Sequence, residues 1–359
     1  MNDIGRALKF MADEGHDVIC LAAKSNPSKS IKRSDKTSSH GRLTIFRPWA
    51  SHQFPAEFPE AAALLANKVL DGLIFDVVLC FQHFNYPLIR RFLRLSRQSI
   101  PVAVLLENAW RAATEETMST RLRMMYRLRG FRDGPRFYRW VAKSADSIIT
   151  CDPGEIGRLA DLQVWNPRTE YVPWCTDPGR RRTHALPDRG VAIFAGALAK
   201  HKNPSELVAV IRQVLAETPT TRFRLATSRQ STRILVAWRT EFGERFEPYT
   251  NLTLTQVAGL MEEAQYGITA AAAGGWGFIG GCWALQTPLV LLHPNSFVQD
   301  PASIVQGWEY ATPADAVNAL LSDDALQGRV RRTGFSQFER YHSADAVGHR
   351  LLAVLGSIS

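Results

Sequence analysis

What most constrains this chain is a repeated alternation of short apolar runs with helix-like stretches. Asp17 to Ala23, Arg42 to Phe46, Phe75 to Phe81, Val102 to Leu106 and Ser147 to Cys151 are rich in aliphatic and β-branched residues. Between several of them lie segments with the apolar spacing of helices: Met1 to Glu14, Glu60 to Leu70, Pro87 to Arg97 and Phe137 to Ala145. Parallel strands need long crossovers, which helices supply, so this order predicts a parallel, doubly wound sheet. Lys24 to Gly41 is rich in Ser and Lys with little apolar content and reads as a mobile loop. Tyr171 to Pro173 adds one more strand. The polar, basic, proline-containing stretch Cys175 to Asp188 follows, and the pattern then restarts with strand Val191 to Phe194, helix Ser205 to Glu217 and strand Arg222 to Ala226. Two tandem α/β domains facing each other across a cleft are expected, and 359 residues exceed one ordinary core.

The stretch Thr269 to His293 is dense in glycine and small residues. It reads as a glycine-rich turn, a helix from about Phe278 to Leu285, a stop at Thr287 and Pro288, and a buried strand from Leu289 to Leu292. A glycine-rich turn entering a helix can cradle an anion, because unpaired N–H groups and the positive end of the helix dipole point the same way. The same pattern also serves a plain crossover in which glycines permit close packing.

Composition narrows the partners. The net charge of +9 favours an acidic ligand such as a nucleotide, an anionic lipid or nucleic acid. Arginines cluster from Arg121 to Arg139, interleaved with Tyr126, Phe131, Phe137 and Tyr138. That mixture suits a membrane surface or a phosphate backbone, and equally a solvated pair of amphipathic helices. The five cysteines are scattered without metal spacing, so neither a structural zinc nor a disulfide framework is expected. No apolar run reaches the ~18 residues that span a bilayer and no apolar leader opens the chain, so the expected location is cytoplasmic, with peripheral membrane association left open.

Several short pieces, taken in order, resemble GT-B glycosyltransferases of family 4, also called the group 1 glycosyltransferases. They are Gly15-His16-Asp17-Val18, Phe75-Asp76-Val77-Val78, Tyr171-Val172-Pro173-Trp174-Cys175-Thr176-Asp177, Phe194-Ala195-Gly196-Ala197-Leu198 with Lys202, and Gly274 to Pro288. The resemblance covers about residues 1 to 355. It implies an acceptor-binding Rossmann-like domain over 1–175, a nucleotide-sugar domain over 189–340, and a final helix within 341–359 that returns to the first domain. The implied activity is transfer of a sugar from a nucleoside diphosphate sugar, with retention of configuration and without a metal or other cofactor.

The resemblance also assigns residues. Lys202, with Lys200 nearby, would neutralise the diphosphate beside Gly196, and the amides of Gly277, Phe278 and Ile279 would add hydrogen bonds. Glu107 stands where many family members place a sugar-touching His, although it could simply open the following helix. His83 is a second catalytic candidate. The departures are as specific as the matches. The family's paired glutamates fall at Ala273 and Gly281, its phosphate-binding Arg falls at Ala197, and its first strand and glycine-rich loop would precede residue 1, leaving unpaired backbone in the sheet or a gap filled by something else. Two other readings therefore stay open: a catalytically degenerate nucleotide- or partner-binding subunit, and a transferase whose acceptor is DNA or an anionic lipid.

Overall fold

A computed structural model describes residues 3–23, 37–49, 59–81, 85–106, 140–152, 156, 157, 159, 166–182, 187–196, 198, 204–227, 232–271 and 275–359. The chain forms two units. An N-terminal unit holds Ala7–Pro173 with Val347–Ser359, and a C-terminal unit holds Trp174–Ala346 with Met1–Arg6. Among the described residues no helix is long and apolar enough to cross a membrane. The five cysteines are present as thiols rather than disulfides.

In the N-terminal unit, helix α1 (Asp3–Asp13) buries Ala7, Met11 and Ala12 and ends at Gly15, whose φ of 101° suits only glycine well. Strand β1 (Val18–Ala23) follows, and β2 (Thr37–His40) and β3 (Leu43–Trp49) form a hairpin. Part of the stretch expected as loop is thus a strand. Its Thr-Ser-Ser-His sequence carries no apolar alternation, because β2 is held through the backbone ladder to β3, with Gly41 at φ 61° making the turn. Helix α2 (Pro59–Val69), β4 (Val78–Phe81), α3 (Tyr86–Ser96), β5 (Val102–Leu106), β6 (Ser147–Thr150) and β7 (Thr169–Tyr171) complete the strand and helix alternation.

Among the described residues, the strands of this unit make two sheets rather than one, in the orders β1-β3-β2 and β4-β5-β6-β7. Helices α2 and α3 serve both, since Ala62, Ala66, Tyr86 and Phe92 share one hydrophobic cluster with β5, and Ile19, Leu21 and Phe46 pack against it. The apolar strands β1 and β4 are edge strands. They stay largely half-buried, whereas every residue of β5 is buried.

Among the described residues, the strands of the C-terminal unit form a six-stranded parallel sheet, ordered β10-β9-β8-β11-β12-β13. Its elements run β8 (Asp188–Ala195), α4 (Pro204–Glu217), β9 (Arg222–Thr227), α5 (Thr232–Phe242), β10 (Phe246–Thr250), α6 (Leu254–Glu263), β11 (Ala264–Thr269), α7 (Trp276–Ala284), β12 (Leu289–Leu291), β13 (Val305–Gln306), α8 (Pro313–Ser322) and α9 (Asp324–Gln337). The chain winds outward from β8 through β9 to β10, then returns to β11 on the other side and winds outward again. The strand order therefore reverses between β8 and β11, and in open α/β sheets that point marks where ligands bind. The last helix, α10 (Ala344–Gly356), crosses the division between units. Its Gly348 lies so close to Phe10 that a Cβ there would sit 2.3 Å from the ring, and His349 meets Phe10 edge-on at 4.7 Å between centroids.

Helix α7 is apolar all round and almost wholly buried, which is why glycines recur in it. A Cβ on Gly280 would lie 1.9 Å from Thr176 Oγ1 and 2.5 Å from Thr176 Cβ, whereas one on Gly277 would meet nothing within 4 Å. Alanine is better than glycine inside a helix by about 1 kcal/mol, but overpacking a dense core costs about 1–3 kcal/mol. Gly280→Ala is therefore expected to lower stability by about 1–2 kcal/mol in urea unfolding, and Thr176→Gly in the same chain to restore part of the loss. Gly277→Ala should leave stability unchanged or slightly raised. Equal effects at the two glycines would contradict this account of the packing.

Candidate functional site

The carboxyl ends of β8, β9 and β10 open onto a cavity of about 540 Å³, walled also by α6 and the start of α7. Ala195 and Gly196 end β8 on this wall, Ala226 and Thr227 end β9, and Asn251 and Leu252 follow β10. The Gly196 amide donates to the Ala226 carbonyl at 2.9 Å, which fixes the turn leaving β8. Helix α6 is set by a capping box between Thr253 and Gln256 and presents Leu254, Val257, Ala258 and Met261.

Helix α7 meets the cavity with its N-terminus. Gly275 caps it in the left-handed region, at φ 76° and ψ 8°, and provides no side-chain cap. The amides of Phe278 and Ile279 both donate to the Gly275 carbonyl, at 2.9 and 3.0 Å. Trp276 and Gly277 therefore carry the amides without a helical partner, and Gly277 is exposed. Among the described residues of the lining, four buried side-chain polar atoms lack a hydrogen-bond partner within the protein: Thr176 Oγ1, on a residue 3% exposed, Trp276 Nε1, on a residue 6% exposed, Thr227 Oγ1 and Arg6 Nη1.

The cation of the cavity is Arg6, from the start of α1. Its side chain is 20% exposed and its Nη1 lies 3.7 Å from Asp177 Oδ1. The guanidinium rests on Gly179, where a Cβ would approach Cζ to 2.5 Å and φ is 72°. Asp177 is held in turn by the Gly179 amide at 2.7 Å and by Arg181 at 3.3 Å. Arg6 is the sole ionisable side chain among the described residues of the lining. The buried Cys282 thiol and Tyr266 hydroxyl nearby are both pushed up by desolvation, so they stay neutral and belong to the core. The described wall can thus bind an anion through amides, a dipole and one guanidinium, and it holds no acid or base.

Behind α7 stands an aromatic stack. Trp276 and Trp283 lie against Phe297 at 5.8 and 5.5 Å with nearly parallel planes, and His342 closes on Phe297 at 4.1 Å. Trp283 Nε1 donates to Ser303 O at 3.1 Å, and His342 Nδ1 faces Trp174 O at 3.1 Å. Through these contacts the stack holds α7 at Trp276 in its first turn and at Trp283 in its last.

Of the residues singled out from sequence, Gly196, Gly277 and Phe278 line the cavity. Ile279 is fully buried with its amide already engaged. The helix starts two residues earlier than the apolar pattern implies, because the left-handed Gly275 begins it at Trp276, so the free amides move to Trp276 and Gly277. Phe278 packs against Phe194 at 5.4 Å. Lys200, Lys202, Glu107, His83, Ala273 and the Arg121 to Arg139 segment lie outside the described residues. Sequence reasoning missed Arg6 and Met261. Arg6 belongs to α1 and has no local pattern to mark it, and Met261 has the spacing of an ordinary core residue.

This architecture is the GT-B fold of two α/β units. Among solved structures it is similar to a sucrose-phosphate synthase from Thermosynechococcus elongatus, with a TM-score of 0.76 at 14% identity over 99% of this chain and 92% of that one. It is similar also to WaaG, a glycosyltransferase involved in lipopolysaccharide biosynthesis, with a TM-score of 0.63 at 12% identity over 98% and 95% of the two chains. An α,α-trehalose 6-phosphate synthase from Burkholderia multivorans gives 0.63 at 10% identity over 95% and 89%. No protein family matches the sequence by its family pattern, and no curated protein matches it.

The anion-binding character of the wall can be checked with a small probe. Arg6→Met keeps the alkyl stem and removes the charge. A charge-assisted hydrogen bond is worth about 1.5–3 kcal/mol, and Asp177 shares this guanidinium, so pyrophosphate affinity by calorimetry should fall about tenfold. Unchanged affinity in a folded variant would take Arg6 out of the anion site.

Proposed function

We propose that the protein is a glycosyltransferase that takes a nucleoside diphosphate sugar in the cavity of the C-terminal unit and passes the sugar to an acceptor. The observation that carries this reading is the uncapped N-terminus of α7, with its free Trp276 and Gly277 amides and Arg6, set at the strand-order reversal of a GT-B fold. The names of two structural neighbours, the sugar-phosphate synthases, and of WaaG agree with that chemistry.

In this reading the diphosphate rests on the α7 amides, and Lys202, with Lys200, supplies positive charge from the turn after Gly196. The bond from the anomeric carbon to the diphosphate breaks as a bond to the acceptor oxygen forms on the same face, with retention. The acceptor proton passes to the departing phosphate or to Glu107, and His83 stands as a further candidate on the acceptor side. No metal takes part, because amides and cations offset the leaving-group charge. The site is assigned to the cytoplasm. The Arg121 to Arg139 segment would bring an acidic acceptor, either an anionic lipid surface or DNA.

A second reading is favoured by a specific observation. No carboxylate lines the cavity among the described residues, and Gly281 stands on its wall. Such a chain could bind a nucleotide and act as a degenerate subunit with little turnover.

Calorimetry against UDP, GDP, ADP, TDP and CMP, followed by nucleotide release from the matching sugar donors, separates the readings. Binding with turnover supports the transferase, binding without turnover supports the subunit, and no binding removes both. Lys202→Ala is expected to weaken diphosphate binding roughly tenfold to a hundredfold, as loss of one charged hydrogen bond implies, with little change in melting temperature.

A further inference from the structure

We propose that Asn295 is a positioning residue of the anion site, which from outside the cavity holds both sides of the turn that presents the Trp276 and Gly277 amides. The inference rests on the nucleotide reading of the cavity and names a side chain on which the aim of its donors depends.

Asn295 follows β12, is 8% exposed and does not line the cavity. Its amide group is engaged at both ends. Nδ2 donates to the Ala271 carbonyl at 3.0 Å, and Oδ1 accepts from the Phe297 amide at 3.0 Å. A buried amide side chain used in this way is held in one orientation, because turning it would strip a backbone carbonyl and a backbone N–H of a partner.

Two routes lead from these bonds to the first turn of α7. The first passes through Ala271, which is 3% exposed and whose own amide donates to Thr269 Oγ1 at 3.2 Å. Ala271 lies against Gly275, where a Cβ would meet the Ala271 Cβ at 3.5 Å. Gly275 is the cap whose carbonyl receives the Phe278 and Ile279 amides. The second route passes through Phe297, whose ring stacks on Trp276 at 5.8 Å with 12° between the planes. One side chain thus fixes both the residue packed on the helix cap and the ring packed on the first helical residue. The strand ends beneath are joined independently, by the Leu292 amide to the Thr269 carbonyl at 3.0 Å. The contribution of Asn295 therefore falls on the turn above the sheet rather than on the sheet.

Donors that bind an anion well are aimed before it arrives, and in catalysis a misplacement of about 1 Å costs on the order of 10²-fold. A turn that is loosened rather than displaced costs less. Asn295→Ser keeps an oxygen that accepts from the Phe297 amide, as serine does in the equivalent turns, but is too short to reach Ala271. Asn295→Asp keeps the same acceptor and sets its second oxygen against the Ala271 carbonyl.

The test is pyrophosphate binding to the full chain by calorimetry. At pH ~8 both variants are expected to bind about fivefold more weakly than wild type, as a loss of donor aim implies. At pH ~5 the ratio to wild type should shrink for Asn295→Asp and stay unchanged for Asn295→Ser, because the new carboxyl, buried beside a carbonyl, titrates above the ordinary ~3.9 and once protonated donates to Ala271. Comparing each variant with wild type at the same pH cancels the titration of pyrophosphate itself. Thr312→Ala is the control. It removes the α8 cap, in which Thr312 Oγ1 accepts from the Asp315 amide at 3.1 Å, and so lowers the melting temperature from elsewhere in the same unit with no expected change in affinity. Affinity within about twofold of wild type in a folded Asn295→Ser chain overturns this inference alone, as does equal weakening by Thr312→Ala. Failure of the wild type to bind pyrophosphate overturns it together with the anion reading of the cavity. If one Asn295 variant does not fold, the other decides.

Discussion

The structure of the C-terminal unit depends on how closely its neighbours approach helix α7. Glycines on the helix and facing it mark the contacts. Gly280 takes Thr176, Gly281 takes Met261, Gly334 of α9 takes Trp283 at 2.4 Å from its would-be Cβ, and Gly267 of β11 takes Cys282 at 2.9 Å. Each contact removes a side chain so that a backbone and a neighbouring side chain can meet at interior density. A nine-residue helix with glycine at these places is poor by propensity, and burial on every side supplies the stability that propensity lacks.

That burial has a chemical consequence. Because α7 is wedged among α6, α9, β11 and the aromatic stack, its first turn cannot fray, and its free amides keep a fixed direction. Preorganised donors need no rearrangement when an anion arrives, which is the condition under which dipoles bind charge well. The unpartnered Thr176 hydroxyl and Trp276 indole N–H stand on the same wall. Buried polar groups without partners are costly, and natural proteins keep them mostly where a ligand or water completes them. The strand-order reversal between β8 and β11 supplies the place for such a site, and α7 supplies its donors.

Strands β8 and β12 of the C-terminal unit were legible in the sequence, because each carries a short apolar run beside a helical pattern, whereas β9 and β11 are largely buried although they carry arginine, glutamine and threonine. Val191, Ala192 and Ile193 of β8 have no exposed surface at all, as a central parallel strand requires. The start of α7 was not legible, since it depends on Gly275 adopting a left-handed conformation, and a run of glycines does not say which one will. Strand β2 was hidden for a different reason: its ladder partner is backbone, and its side chains are all polar. The division of the N-terminal strands into two sheets was also unreadable, because apolar runs predict strands and not which strands pair. Arg6 shows the limit most clearly. It reaches the site from a helix far away in sequence, and no local pattern connects it to Asp177 or Gly179.

Gly280 and Gly281 are adjacent in sequence and face different demands. Gly280 is required by a branched side chain whose β-carbon cannot move without shifting the Thr176 backbone, so its loss would be felt as strain. Gly281 faces the far end of a flexible methionine, which can give way by a few tenths of an ångström. Packing alone would therefore tolerate a larger residue at Gly281 far better than at Gly280. What weighs against a carboxylate there is electrostatic. It would enter a wall whose described cation, Arg6, is already paired with Asp177, and a charge removed from water without a partner is costly. The absence of an acid at this point is consistent with the rest of the cavity, where charge is handled by amides and guanidinium at one end and the α6 wall is apolar.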